Sequence, residues 1–96
     1  MTEFLYKKRF LNAFESLPND DKDLVREAVR EVRAYYETNK GSYGLRIKKL
    51  YEGVSGKVFE ARLNLSIRLI WVEHKGLVAF ALLGSHDEVR RYLRNL

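Results

Sequence analysis

Cysteine is absent from the 96 residues. That excludes a disulfide framework, a thiolate zinc site and a cysteine nucleophile, and it fits a reducing cytosol. Histidine is nearly as scarce. Only His74 and His86 occur, the carboxylates show no ligand-like spacing near them, and neither a metal site nor any other cofactor is expected. No apolar run approaches the roughly 20 residues that cross a bilayer. The first residues, Met1-Thr2-Glu3-Phe4-Leu5-Tyr6, lack the basic, apolar and small order of a signal peptide. A cytoplasmic protein without membrane contact is the expectation. Glycine occurs six times, and Gly41, Gly44, Gly53, Gly56, Gly76 and Gly84 all read as turn residues. None forms a phosphate-cradling loop, a dinucleotide fingerprint or a nucleophile elbow.

What is present describes one soluble domain spanning residues 1–96, since so short a chain cannot hold two independent cores. Hydrophobic residues make up 46% and charged residues 32%, which is a globular rather than a disordered profile. The net charge of +5 is unevenly placed. Residues 1–40 carry eight cations and eight carboxylates, whereas residues 41–96 carry ten and five. A basic C-terminal half suggests an anionic partner, either nucleic acid or an acidic protein.

Residues 2–6 suit a short strand. Phe10, Leu11, Phe14 and Leu17 recur at helical spacing until Pro18, the single proline, closes the segment. Asn19 or Asp20 is placed to cap a second helix, whose apolar face comprises Leu24, Val25, Ala28, Val29, Val32, Tyr35 and Tyr36. Asn39-Lys40-Gly41 is its stop signal. Residues 45–50 read as a short basic stretch of extended character, leading to a turn at Glu52-Gly53. Three strands follow at 57–63, 67–73 and 77–83, the last two joined by a tight turn at Lys75-Gly76. A final helix runs from about His86 to Arg94, with Ser85 as cap and Glu88 at the capping-box position. The class is α+β.

Parity fixes the register of the first hairpin. A three-residue loop, Asn64-Leu65-Ser66, pairs Arg62 with Arg68 and Phe59 with Trp71. The helices then cover Phe59, Ala61, Leu63, Ile67, Leu69 and Trp71, while Glu60, Arg62 and Arg68 share the other face. Two arginines directly across a strand pair repel each other unless an anion or carboxylate intervenes. Either Glu60 neutralises them in a salt-bridge cluster, or the guanidinium forks form a phosphate clamp with Glu60 as its neighbouring base. His86, at the start of the last helix, is either a surface residue or a proton donor. Tyr92 either fills an amphipathic face or stacks on a base. Lys48, Lys49 and Lys57 extend a candidate backbone-binding track.

Lys48-Lys49-Leu50, Val58-Phe59-Glu60-Ala61-Arg62-Leu63, Ser66-Ile67-Arg68-Leu69-Ile70 and Leu83-Gly84-Ser85-His86-Asp87-Glu88-Val89 together resemble the RelE/ParE toxin superfamily. These are the toxins of type II toxin–antitoxin pairs, and the order of elements is also theirs. The resemblance implies a RelE-like fold: an N-terminal strand and two-helix hairpin packed on an antiparallel sheet, with a short C-terminal helix. It implies a ribosome-dependent, metal-free endoribonuclease that cuts messenger RNA, and an acidic antitoxin as partner. Arg68 matches the family's phosphate-binding arginine, and His86 its general acid. Tyr92 matches the tyrosine of the C-terminal region. Glu60 and Arg62 match basic positions of the preceding strand, one of which is acidic here. A gyrase-inhibiting branch and non-catalytic binding members remain the alternatives. Retention of Arg62, Arg68 and His86 favours RNA cleavage.

Overall fold

The computed structural model describes residues 1–38 and 46–96. The order is β1 (Glu3–Tyr6), α1 (Lys8–Glu15), α2 (Asn19–Thr38), β2 (Ile47–Gly53), β3 (Gly56–Arg62), β4 (Arg68–His74), β5 (Leu77–Gly84) and α3 (His86–Arg94). The class is α+β, as the alternation of helical and strand periods requires. One five-stranded sheet has the order β1-β5-β4-β3-β2. Strands β2 to β5 form an antiparallel meander, but β1 pairs with β5 in parallel, so the sheet is mixed. The helical hairpin between β1 and β2 supplies the long connection that a parallel neighbour needs.

Both hairpin turns of the sequence reading are present. Residues 64–66 form a three-residue loop closed by Asn64, whose Oδ1 accepts from the Ser66 and Ile67 amides at 2.8 Å each. This Asx turn sets the pairs Arg62↔Arg68 and Phe59↔Trp71, and the two rings of the latter stack 5.8 Å apart. At the second turn, Lys75 and Gly76 take φ of 47° and 82°, both positive as a two-residue type I′ turn demands.

Two elements differ from the sequence reading. The basic stretch is a full strand that runs through the expected turn at Glu52-Gly53 and folds back only at Val54-Ser55. Gly56 then carries φ of +127°, and a Cβ there would meet the Glu73 carbonyl oxygen at 2.6 Å, so only glycine fits. Asn19 and Asp20 already lie inside α2 rather than capping it, and the Pro18 carbonyl accepts its first hydrogen bond from the Lys22 amide. The stop signal at Asn39-Lys40-Gly41 lies outside the described residues.

The main core lies between the sheet and the α1–α2 hairpin, built on Phe10, Val25, Val32, Leu69, Trp71 and Phe80. Inside it Tyr36 Oη donates to Glu73 at 2.8 Å and accepts from Trp71 Nε1 at 3.1 Å. The opposite face is not bare. Val58, Ile70 and Leu82 form a second cluster under α3 with Val89, and Leu50, Tyr92 and Leu93 pack around it. Among the described residues no helix is long and apolar enough to cross a membrane.

Candidate functional site

The site is built at one end of the face that α3 shares. Strand alternation puts Glu60 and Arg62 of β3 on that face, and the Asx-turn register sets Arg68 directly across from Arg62. Arg68 Nε donates to Glu60 Oε1 at 2.8 Å, and the two side chains are only 9% and 16% exposed. The surface readily accommodates Arg62, which is exposed and has no ion pair with any described residue. The two readings of the cluster therefore divide between the arginines. Glu60 neutralises one of them, and the other stands in solvent with its fork available.

This geometry corrects the expectation that Arg68 lies on an uncovered face. Arg68 is 7% exposed, because the chain leaving β5 folds down beside it. Gly84, the Arg68 partner on β5, has Glu88 against its α-carbon, so that an added Cβ would sit 3.0 Å from the Glu88 Cβ. Glu88 is held there by a capping box. Its carboxylate accepts from the Ser85 amide at 3.0 Å, and its own amide donates to Ser85 Oγ at 3.3 Å. The box fixes where α3 begins. His86 becomes its first residue, exposed, two positions beyond the partner of Arg68.

Lys48 joins the group from β2. It pairs with Glu60 in register and is exposed, so the Glu60 carboxylate has the Lys48 position on one side and Arg68 on the other. The lysine track divides at this point. Lys57 pairs with Glu73 and alternates with Phe59, which places it on the side of α1 and α2. Lys49 pairs with Phe59 on that same side, and its ammonium bonds Glu52 at 2.6 Å. Lys49 and the nearby Lys57 hold the Glu52 carboxyl below the usual carboxylate range. Of the three, Lys48 alone shares the face of Glu60, Arg62 and Arg68.

Tyr92 is also set apart from His86. Six residues along a helix amount to about 9 Å of rise and roughly 240° of rotation. Tyr92 is half-buried against the second cluster, and burial pushes its phenol upward, partly offset by Arg9 of α1. Tyr36 is pushed up more strongly, chiefly by burial, with the Trp71 bond opposing and Glu73 reinforcing. A folded-state value above the unfolded one means that the native protein holds these protons more tightly. Their stabilisation is complete below about pH 10, the usual tyrosine value, and is lost as pH rises further. Urea unfolding as a function of pH should show stability falling above that point, because Tyr36 and Tyr92 ionise less readily in the folded protein than in the unfolded one. Folded-state titration of Tyr36 and Tyr92 at the usual tyrosine value would contradict the packing.

Among the described residues no three histidines, carboxylates or cysteines come together as metal ligands. The arrangement instead offers one held carboxylate, three cations and an exposed imidazole around one sheet end. That set suits an anionic ester with a neighbouring hydroxyl.

No protein-family model and no curated protein matches this sequence. Solved structures do. A copper-bound mutant toxin from Helicobacter pylori is 20% identical, covers 93% of this chain and 99% of its own, and superposes with a TM-score of 0.69. RelE in the archaeal RelE–RelB complex from Pyrococcus horikoshii is 17% identical over 88% of this chain and 93% of that one, with a TM-score of 0.66. The YoeB dimer from Staphylococcus aureus is 14% identical over 88% and 97%, with a TM-score of 0.64. At these identities the likeness establishes the fold, which is that of RelE-like toxins.

Proposed function

We propose that this chain, carrying the RelE-like toxin fold, is the toxin of a type II toxin–antitoxin pair and cuts messenger RNA on the ribosome. The observation that carries the reading is the Arg62–Arg68 pair across β3 and β4, with Glu60 held by Arg68 and His86 opening α3 beyond the Arg68 partner. The proteins of similar fold supply the class: the RelE and YoeB structures include complexes with the antitoxins RelB and YefM.

Metal-free RNA cleavage needs three things: a base for the ribose 2′-hydroxyl, positive charge on the pentavalent phosphate, and an acid for the leaving oxygen. Glu60 takes the 2′-hydroxyl proton while Arg68 holds the carboxylate in place. The 2′-oxygen attacks phosphorus and the bond from phosphorus to the 5′-oxygen breaks. Protonated His86 gives its proton to that oxygen, leaving a 2′,3′-cyclic phosphate and a 5′-hydroxyl. Arg62 binds the non-bridging oxygens, and Arg68 assists. A guanidinium has five N–H donors, and the Nε bond to Glu60 occupies one. Lys48 holds the adjoining backbone phosphate. Tyr92 supports α3 from below rather than touching the reacting atoms.

Expression in growing cells tests the class. Protein synthesis should stop first, with DNA-damage signals unchanged. The reverse order would assign the chain to gyrase inhibition, and growth without either effect would make it a binding-only member.

A further inference from the structure

His86 carries the proton in the proposed reaction, yet its ring has no hydrogen bond or ion pair with any described residue. Acid–base side chains are commonly oriented by a further group that bonds the ring directly. Here nothing bonds the ring, so its place is set by the backbone on which it stands. That backbone is held on both sides. Ser85 precedes the histidine as the N-cap, and Glu88 follows it at the third position of α3. Glu88 Oε1 accepts from the Ser85 amide at 3.0 Å, and Ser85 Oγ accepts from the Glu88 amide at 3.3 Å. The Val89 amide donates to the Ser85 carbonyl at 3.0 Å, and the Val89 side chain is buried in the second cluster. His86 thus stands inside one tightly closed turn.

Glu88 in turn rests on Gly84. A Cβ added at residue 84 would come within 3.0 Å of the Glu88 Cβ and 3.1 Å of both its Cδ and Oε1. Gly84 has no positive φ, so its backbone conformation suits any residue, and what the glycine supplies is room for the Glu88 stem. Gly84 is also the β5 partner of Arg68, which holds Glu60. The acid is therefore tied, through Glu88 and Gly84, to the strand register that places the base. We infer that Glu88 is a positioning residue for His86: seated on Gly84 and bonded to the Ser85 amide, it fixes the first turn of α3 so that the imidazole meets the leaving oxygen. Glu88 does not touch the substrate. Its task is geometric and needs no charge, since a capping box accepts glutamine as well as glutamate. The inference rests on the RNA-cleavage reading for the role of His86.

The test uses the whole chain, at a temperature where urea unfolding shows every variant fully folded. Glu88→Ala should lower kcat for cleavage on the ribosome by about 100-fold, the cost of roughly 1 Å of misplacement, with KM unchanged. Glu88→Gln should restore most of the rate. Gly84→Ala should reproduce the loss with the carboxylate still present, by pushing Glu88 off its seat. In a His86→Ala background, Glu88→Ala should cost nothing further, because the group it positions is gone. The imidazole proton resonances of His86 should shift in Glu88→Ala and Gly84→Ala and return in Glu88→Gln, while those of His74 stay in place. Glu88→Ala cutting at the wild-type rate, Glu88→Gln as slow as Glu88→Ala, or a full further loss in the His86→Ala background would each overturn the inference. Unmoved His86 resonances would overturn it whatever the protein cuts. Intact RNA with wild type, while those resonances respond as expected, would remove the toxin reading and leave the positioning of His86 standing.

Discussion

Arg68→Ala should cost about 3 kcal/mol of stability and abolish RNA cleavage together, whereas removal of both ionic partners should separate the two effects. The reason is the setting of the pair. Arg68 and Glu60 are 9% and 16% exposed, and the single substitution leaves a shielded carboxylate without its cation. Breaking a buried ion pair on one side typically costs about 3–5 kcal/mol, and the small remaining exposure places this one at the lower end. Replacing both members with apolar residues of similar volume is often neutral or stabilising. Arg68→Met combined with Glu60→Leu should therefore regain most of the lost stability, measured by urea unfolding, and still not cut. A stable double variant that cuts at the wild-type rate would reduce the pair to a structural salt bridge.

His86→Ala should lower the cleavage rate by about 100- to 10,000-fold, the range for loss of a general acid, without changing stability. His86 is exposed at the first position of α3, and Ser85 and Glu88, not the imidazole, hold the start of the helix. Tyr92→Phe should reduce cleavage far less, because its ring packs on the second cluster and its hydroxyl is remote from His86 along the helix. Single-turnover rates at saturating ribosome measure both. Equal losses for His86→Ala and Tyr92→Phe would mean that α3 itself, rather than its first side chain, is what matters.

The hairpin register was legible because both of its determinants are local. Asn64 closes a three-residue loop with its own side chain, and the alternation from Phe59 to Leu63 then dictates the partners. The capping box at Ser85 and Glu88 is equally short-range, and so is the turn at Lys75-Gly76. Strand β2 was harder to read. Its register shifts between Lys49 and Tyr51, so its side chains do not alternate strictly, and Glu52-Gly53 imitates a turn while still paired to β3. Ordinary strand alternation, before that shift, makes the adjacent Lys48 and Lys49 face opposite sides, which composition cannot show.

The burial of Arg68 depends on contacts between residues distant in sequence. Val58, Ile70 and Val72 lie on the same strand faces as Glu60, Arg62 and Arg68, and three apolar side chains on a supposedly open face are the available sign of a second cover. Only the fold shows that α3 supplies it, through Val89, Tyr92 and Leu93. The division of roles between the two arginines follows from the same packing: the covered one holds the carboxylate and the exposed one faces the substrate.

The central claim is that this sheet end cuts RNA by attack of the neighbouring hydroxyl, with Arg62 holding the phosphate. The most direct measurement maps RNA ends on ribosomes programmed with a defined message, with wild type and Arg62→Ala compared. Arg62 is exposed and unpaired among the described residues, so its removal leaves the fold intact and isolates the chemistry. The account predicts wild-type cuts ending in 2′,3′-cyclic phosphate and 5′-hydroxyl, insensitive to chelators, and a clear loss of rate with Arg62→Ala. Intact message with wild type, ends bearing 3′-hydroxyl, or an Arg62→Ala protein that cuts at the wild-type rate would contradict it.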